Sequence, residues 1–223
     1  SGSSSPVSEG TDAAPDGARG DGGPDGAEAA GTWCATNAPA ADFCVDFDGR
    51  GVDLFDRQVT QNGTLGVDTL FARSTPSSLW VTAGSSSQRA EVFLEKDGAP
   101  DAKRASVSFD LRVEGTHAIA AVEVAHLKFN RGSNHYTVGV GIMPGAQGAY
   151  AYEYSPSPSI YEDRVLSHTP FPLDTWVHVD LAADLVAKTV TLARDDESGA
   201  VTRSLTAPTS GAAELEVGIV FAN

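Results

Sequence analysis

Apolar and polar side chains alternate along several stretches of this chain, and this period of two constrains the fold more than any other feature. The clearest stretches are 104–113, 176–181 and 214–221. Because successive side chains of a β-strand point to opposite faces, each stretch predicts a strand with one buried face and one polar face. In 104–113 the buried face would consist of Val107, Phe109, Leu111 and Val113.

Shorter stretches extend the same pattern over most of the chain. Turn residues separate them, among them Asp97-Gly98 and Ser198-Gly199, and no window carries a helical face over three turns. About a dozen strands of this kind predict an all-β fold in which antiparallel sheets pack face to face as a two-sheet β-sandwich. The further candidate strands are 43–48, 79–83, 89–95, 121–129, 134–142, 148–154 and 187–194.

The first 31 residues have a different composition from the rest of the chain. Residues 1–31 consist almost entirely of Gly, Ser, Pro, Ala and acidic residues, with Arg19 as the only base. Such a segment buries too little apolar surface to offset the entropy of ordering it. We therefore predict a disordered acidic linker over 1–31, followed by one β-sandwich domain over 32–223.

The net charge excludes two classes of partner. The chain has 15 Lys and Arg residues against 30 Asp and Glu, a formal charge of -15 at pH 7. A nucleic-acid binder needs a basic face to neutralise phosphates, and an anionic membrane surface attracts basic segments. We expect neither partner, and no stretch approaches the length of an apolar membrane-spanning helix.

Cys34 and Cys44 are the two cysteines of the chain. Neither lies in a C-x-x-C pair or in a Cys/His metal spacing. An even number of cysteines just after a secretory-type leader favours a disulfide with a structural role, whereas two free thiols would fit a cytosolic protein. The leader favours a secreted or outer cell-envelope location, where a disulfide persists.

Two segments resemble a known family. Residues 176–181 (WVHVDL) followed by 189–195 (TVTLARD) resemble laminin-G and concanavalin A-like jelly rolls, in which a Trp opens a strand. Residues 42–49 (DFCVDFDG), placed after the acidic leader, resemble predicted lipoproteins of GC-rich Gram-negative bacteria that carry such a domain. The resemblance covers 33–221. It implies a jelly-roll sandwich in the cell envelope, with a lipid anchor upstream of Ser1.

The resemblance also draws attention to the C-terminal end of the chain. Similar domains continue past the segment 218–222 into a further strand, whereas this chain stops at Asn223. We therefore expect an exposed edge at the C-terminal strand, through which the protein could form oligomers.

Catalytic signatures of this fold are incomplete here. The nearest match to a glycosidase Glu-x-Asp-x-x-Glu strand begins at Glu95 and lacks its last Glu, and Glu214 and Glu216 are interpreted as a solvated strand face. The lyase pattern is kept only in part, by Arg89 and His126. We favour a non-catalytic module, with a polysaccharide lyase or glycosidase as the alternative.

The five tyrosines all lie between positions 136 and 161, and they suggest a binding face. Alternation places Tyr150, Tyr152 and Tyr154 on one face of a strand, where rings with a polar tip suit stacking on sugars. The alternative is a purely structural role, in which these rings fill the core or cover a sheet edge by cross-strand pairing. The predicted ligand-binding residues are Tyr150, Tyr152, Tyr154, Tyr136, His126 and His178.

No cofactor is predicted. A low-affinity Ca²⁺ site is kept as an alternative, because the chain is rich in carboxylate oxygens. The carboxylates considered for it are Asp46, Asp48, Asp195 and Asp196. The expected function is a non-catalytic cell-envelope module that binds a glycan or a cell-surface protein. Besides the enzymes named above, a structural surface or filament subunit remains an alternative.

Overall fold

The computed structural model describes residues 32–47, 51–73, 77–84, 89–114, 121–130, 134–143, 148–167 and 169–222. The predicted linker 1–31 lies outside these residues. The described chain contains one α-helix, α1 (Thr32–Asn37), and a 3-10 helix at Gly51–Leu54. Neither is long and apolar enough to cross a membrane. The strands are β1 (Arg57–Gln61), β2 (Gly63–Asp68), β3 (Ser78–Ala83), β4 (Ala90–Asp97), β5 (Arg104–Arg112), β6 (Val122–Phe129), β7 (Tyr136–Met143), β8 (Gly148–Pro156), β9 (Ser159–Leu166), β10 (Trp176–Asp184), β11 (Thr189–Arg194), β12 (Val201–Ser204) and β13 (Ala213–Ala222).

The described strands form two main sheets and one hairpin. The large sheet has seven strands in the order β1-β4-β13-β6-β7-β8-β9, and the small sheet has four in the order β12-β11-β10-β5. Strands β2 and β3 form a separate pair. All of the strand pairs are antiparallel. The predicted all-β fold with antiparallel sheets in a sandwich is confirmed.

The core lies between the two main sheets. The large sheet contributes Phe129, Val138 and Val140, and the small sheet contributes Val179 and Leu181, all of them fully or almost fully buried. Burying one such side chain stabilises the fold by roughly 1.5–3 kcal/mol. The predicted apolar face of β5 also packs here, so the alternation identified the core correctly.

The N-terminal part of the described chain differs from the prediction. Residues 43–47 do not form the expected strand, because Phe43 and Phe47 instead pack their rings against Phe55, with centroids 5.1 Å and 6.2 Å away. The helix α1 was not predicted. The disulfide between Cys34 and Cys44 is confirmed, and it ties α1 to this segment.

The C-terminal strand is not an edge, contrary to our expectation. Strand β13 pairs with β4 on one side and with β6 on the other, near the middle of the large sheet. An interior strand has no free backbone groups to offer a second chain. The expected exposed edge at β13 is therefore wrong, while oligomerisation of the protein stays an untested prediction.

Candidate binding face on the large sheet

The outer face of the large sheet, defined as the face turned away from the small sheet, carries a row of charged side chains. Within β6, Leu127 and Phe129 enter the core, so His126 and Lys128 point outward. A register irregularity between Glu123 and Ala125 breaks the regular alternation there. Glu216 of β13 lies directly opposite His126 in the antiparallel register, which brings a base and an acid together.

His126 is the centre of a buried charge network on this face. Its Nδ1 lies 2.9 Å from a Glu216 carboxylate oxygen, and its Nε2 lies 3.0 Å from Glu123. Lys128 donates a hydrogen bond to the other Glu216 oxygen. Only 8% of His126 and 1% of Glu216 are exposed. The network contradicts our interpretation of Glu216 as part of a solvated strand face.

The electrostatics of the network favour a protonated His126. Burial lowers the pKa of His126, but hydrogen bonds and charges from Glu123 and Glu216 outweigh this and raise the pKa above its ordinary value. For Glu216 burial works in the other direction and raises the pKa. The hydrogen bonds and charges of His126 and Lys128 outweigh burial and lower the pKa of Glu216 below its ordinary value. The network therefore holds two cations between carboxylates beneath the surface.

Two tyrosine rings of β8 reach across β7 because β7 has glycines beneath them. In the register, Gly139 lies opposite Tyr152 and Gly141 lies opposite Tyr150. A Cβ at either glycine would lie 2.3 Å from the Cζ of the ring above it, so no larger residue fits without moving the ring. The close approach lets the Tyr152 hydroxyl donate to Glu123 at 2.9 Å and contact His126.

The aromatic row continues to the edge of the sheet. The Tyr161 ring on β9 stacks on the Tyr152 ring with centroids 5.3 Å apart and planes 29° apart. Tyr161 is 56% exposed, and its hydroxyl lies 3.4 Å from Glu123. Burial is the main cause that raises the pKa of Tyr161 to about 12, so this hydroxyl is neutral near pH 7. The Tyr161 ring thus offers an exposed apolar face together with a neutral hydroxyl group.

The structure brings three of the six predicted binding residues into this cluster. His126, Tyr150 and Tyr152 lie together on the outer face, with the Tyr150 and Tyr152 ring centroids 6.0 Å apart. Tyr154 follows on the same strand face, where its ring lies 5.7 Å from that of His135. The prediction that Tyr150, Tyr152 and Tyr154 share a face of one strand agrees with this arrangement.

The other two predicted residues lie elsewhere. Tyr136 lies in the core with 1% of its surface exposed, because β7 alternates Tyr136, Val138 and Val140 inward. Its hydroxyl donates to the buried Glu153 at 2.9 Å. His178 lies on β10 of the small sheet, 3.0 Å from Asp110. Neither side chain takes part in the cluster around Tyr152.

Sequence reasoning missed the carboxylates that surround the tyrosines. Glu123, Asp163 and Glu216 were not among the predicted binding residues, although each lies on the outer face. Asp163 pairs with Tyr152 across β8 and β9, and Glu216 meets His126 from ninety positions away. One local signal was available, since the glycines at 139 and 141 mark where a neighbouring side chain must pass close to β7.

Other polar clusters of the described residues have structural roles. Glu153 accepts hydrogen bonds from the backbone N–H groups of Thr206 and Ala207 and from Arg164, which ties the segment after β12 to β8. Arg194 is bonded to Asp196 and Ser167 and lies over the Phe171 ring. These contacts satisfy buried charges near turns.

The carboxylates considered for Ca²⁺ are not gathered into one site. Asp195 accepts a hydrogen bond from the His178 backbone, Asp196 pairs with Arg194, and Asp48 lies outside the described residues. A different set comes together among the described residues, with carboxylate oxygens of Glu95, Glu214 and Glu216 within 4.8 Å of one another. Arg57 pairs with Glu95 of that set, and Lys128 pairs with both Glu214 and Glu216.

The described residues thus define an antiparallel β-sandwich whose large sheet carries an outer face of tyrosines and carboxylates. Neither a protein-family model nor a curated protein matches the chain. Among solved structures the chain is similar to the carbohydrate binding module CBM66 from Bacillus subtilis, at 15% identity and a TM-score of 0.45. The match covers 75% of this chain and 91% of that one. A similarity this low transfers neither a ligand nor a site residue.

Proposed function

We propose that the protein is a non-catalytic module that binds a glycan on the outer face of its large sheet. The observation that carries this proposal is the stack of the exposed Tyr161 ring on the buried Tyr152 ring, beside the Glu123 carboxylate. A sugar presents an apolar C–H face and a rim of hydroxyl groups. A fixed aromatic ring flanked by hydrogen-bond acceptors complements both.

The buried network supports this role by holding the rings in place. Tyr152 is fixed by its contacts with Glu123 and His126, and Tyr161 stacks directly on it. A ring that is already fixed loses little conformational entropy when a ligand binds, which increases affinity. We therefore assign the charged residues beneath the tyrosines a positioning role.

The same burial opposes a catalytic role for these residues. A general base must reach its proton and have a pKa near the working pH. Tyr152 is 2% exposed, and burial together with the Glu123 charge raises its pKa well above the ordinary value. The hydroxyl therefore stays protonated, and its hydrogen bond is already given to Glu123.

A second candidate, a polysaccharide lyase, is favoured by the direct contact between His126 and the Tyr152 hydroxyl. Lyases remove a proton next to a uronate carboxylate and need cations to neutralise it. The available cations are engaged, since Arg89 pairs with Glu91 and His126 lies between two carboxylates. Formation of unsaturated uronate absorbance on alginate or pectin, lost in His126→Ala, would establish this candidate instead.

The location of the protein is proposed from its disulfide and leader. A disulfide persists in oxidising compartments, which fits a secreted or cell-envelope protein. The acidic, Gly-rich composition of residues 1–31 supports a flexible tether for the domain 32–223. A lipid anchor upstream of Ser1 would place this domain at the cell surface, where glycans and surface proteins are its partners.

A polysaccharide retention assay tests the proposed function. The protein is mixed with insoluble cellulose, chitin, chitosan, starch and mannan, and the bound fraction is measured. We expect retention on at least one polymer and a loss of about tenfold in affinity in Tyr161→Ala, because the exposed ring forms the contact surface. The control is Trp80→Ala, which removes another half-exposed aromatic ring, on β3. Retention that depends on Trp80 and not on Tyr161, or no retention at all, would contradict the proposal.

A further inference from the structure

The layer that faces the large sheet is interrupted between β5 and β3. The small sheet ends at β5, and β2 and β3 form their own pair. That pair packs on β4, since a Cβ added to Gly63 would lie 2.4 Å from Cγ2 of Val92. An open cavity of about 1890 Å³ lies between the two pieces, with β5 on one side and Leu79 and Val81 of β3 on the other. We call it the β3–β5 cavity.

The large sheet is poorly covered beneath this cavity. Leu215, Val217 and Ile219 of β13 line the cavity and are only half-buried, although β13 lies near the middle of its sheet. On the opposite face of the same strand, Glu216 is 1% exposed. An interior strand ordinarily buries its apolar face and exposes its charges. The reversal on β13 indicates a place for apolar side chains from outside the described chain.

Strand β5 shows the same lack of cover on its apolar face. The apolar residues of the neighbouring strand β10, namely Val177, Val179 and Leu181, are at most 1% exposed. Their counterparts on β5 line the cavity and are half-buried, and these are Val107, Phe109 and Leu111. The core is therefore closed over β10 and open beside β5.

The backbone of β5 also has an unpaired side. At its two ends, the Lys103 and Val113 carbonyl groups accept hydrogen bonds from the Leu185 and Asp174 N–H groups, toward the β10 side. Because backbone groups of a strand alternate in direction, every second residue between them directs its N–H and C=O away from β10. These residues are Arg104, Ser106, Ser108, Asp110 and Arg112. None of the described strands pairs with that side.

This edge lacks the protection that the other edges of the two main sheets have. Strands β1 and β12 have only five and four residues, and β9 pairs through an irregular register. Strand β5 runs for nine residues in continuous register with β10 and contains no proline. A long, regular edge above an apolar surface is a template for a further strand.

The chemistry of the cavity selects an extended polypeptide as its occupant. The β5 edge needs alternating N–H and C=O partners, which an extended backbone supplies at the right spacing. The apolar surface needs side chains at every second position of that segment. A lipid chain would cover the apolar surface but leave the edge unpaired.

Neither the leader nor a second copy of the chain matches these needs. The leader 1–31 has Val7 as its only larger apolar side chain. A second copy paired through β5 would bring its own β10 into the space of the β2–β3 pair. Two chains of charge -15 also repel each other.

Charge favours a basic segment. The basic residues that line the cavity are all paired with carboxylates already, and they are Arg73, Lys96, Arg104, Arg112 and Lys128. An acidic segment would thus meet no unpaired cation there, whereas the excess of acid on the chain attracts a basic segment.

We propose that an extended segment of a basic partner protein enters the β3–β5 cavity and adds a strand to β5. The segment carries apolar side chains at alternate positions, directed at β13, and Lys or Arg at the positions between them. This interaction surface lies away from the tyrosine face and does not depend on glycan binding.

Fluorescence anisotropy with designed peptides tests the inference. The probe is a labelled nine-residue peptide that alternates Val with Lys and matches β5 in length. One control peptide has the same composition with all Val residues in a block, and another alternates Val with Glu. We expect the alternating Lys peptide to bind the full chain at least about tenfold more tightly than either control.

Two variants of the protein locate the binding. Ser106→Pro removes an N–H group that faces the cavity, without removing a hydrogen bond to β10, and it should weaken binding about tenfold or more. Ser204→Pro is the matched control at the β12 edge, where the hydrogen bond from Leu205 to Lys188 leaves the Ser204 N–H group facing away from β11. It should bind like wild type. Val217→Phe fills the cavity without changing β5, and it should also weaken binding about tenfold.

Thermal unfolding identifies a variant that fails to fold, and if Ser106→Pro is unfolded, Val217→Phe decides. Equal binding of the alternating and block peptides, or of the Lys and Glu peptides, would overturn the inference. Full binding in a folded Ser106→Pro or Val217→Phe variant would also overturn it. A wild-type dimer in sedimentation that becomes monomeric in Ser106→Pro would show that a second copy fills the cavity instead.

Discussion

The two outer faces of the sandwich are built by the same alternation but differ in what covers them. On the small sheet the polar pairs remain exposed, such as the hydroxyls of Thr191 and Thr202, 2.7 Å apart across the strands, and the ion pair of Arg104 with Asp184. The large sheet carries tyrosines whose rings extend over the neighbouring strand and cover its charges. The reach of the side chains, and not the polarity pattern, decides which polar groups become buried.

Two histidines, one on each outer face, show how this difference changes the burial of similar polar contacts. His178 on the small sheet contacts Asp110 at 3.0 Å and Ser108 at 2.9 Å, with 35% of its side chain exposed. His126 on the large sheet lies between Glu123 and Glu216 with 11% of its side chain exposed. The polar partners are similar, but water screens the first set and is excluded from the second. Only the buried set should therefore have large energetic consequences.

Breaking the buried network gives the largest expected effect. Glu216→Gln leaves His126 and Lys128 without their shared carboxylate, and removal of one partner from a buried ion pair costs about 3–5 kcal/mol. The matched change on the small sheet is Asp180→Asn, which removes a half-exposed carboxylate 3.5 Å from His178. That change should cost less than about 1 kcal/mol.

Urea unfolding of the wild type and both variants, followed by circular dichroism, measures this contrast. Equal losses of unfolding free energy in the two variants would show that burial does not distinguish the two faces.

Filling the space beneath a tyrosine ring should have an intermediate effect. Gly139→Ala places a methyl group against the Tyr152 ring, which must move away from Glu123 and His126, and overpacking of this kind costs about 1–3 kcal/mol. Gly66→Ala on β2 is the control, since no atom lies within 4 Å of its added Cβ. Thermal unfolding compares them. A Gly139→Ala variant as stable as wild type would mean that the ring position is not fixed by contact with β7.

The smallest expected effect is the dependence of stability on pH. The pKa of His126 is raised in the folded state, so its protonation stabilises the fold fully below the unfolded pKa of about 6.5. This contribution is lost as pH rises through the higher folded pKa. The free energy of unfolding should therefore fall as pH rises above about 6.5.

Variants at the two histidines assign this pH dependence. His126→Gln should remove the decline between neutral and mildly alkaline pH, whereas His178→Gln should retain it. Chemical unfolding at a series of pH values provides the measurement. Persistence of the decline in His126→Gln would refute the assignment.

The sequence predicted the core well because burial of one strand face is encoded locally. The alternation in 104–113 and 176–181 identified the apolar faces of β5 and β10. Strands β1, β2, β9 and β12 were missed because they carry few buried residues, which leaves no alternating pattern. Strands β1, β9 and β12 lie at sheet edges, and β2 belongs to the separate pair with β3. Segment 43–47 was misassigned because aromatic packing onto Phe55 outweighed its strand-like pattern.

The candidate site could be predicted only in part. The shared face of Tyr150, Tyr152 and Tyr154 follows from alternation within one strand. The burial of Glu216 does not, because it depends on the pairing of β13 with β6 and on rings arriving from β8. A glutamate in an alternating strand is ordinarily solvated, and only the three-dimensional neighbours reveal that this one is covered.

Chemical-shift mapping tests the central claim that glycans bind on the outer face of the large sheet. Backbone amide spectra of the protein are recorded while glucosamine hexamer, N-acetylglucosamine hexamer or a neutral glucan hexamer is added. We predict that the largest shifts fall on β8 and β9, at Tyr152, Tyr161 and Asp163, while β5 and β10 around His178 remain unchanged. Shifts centred on His178 and the small sheet, or no shifts with any of the three saccharides, would contradict the account.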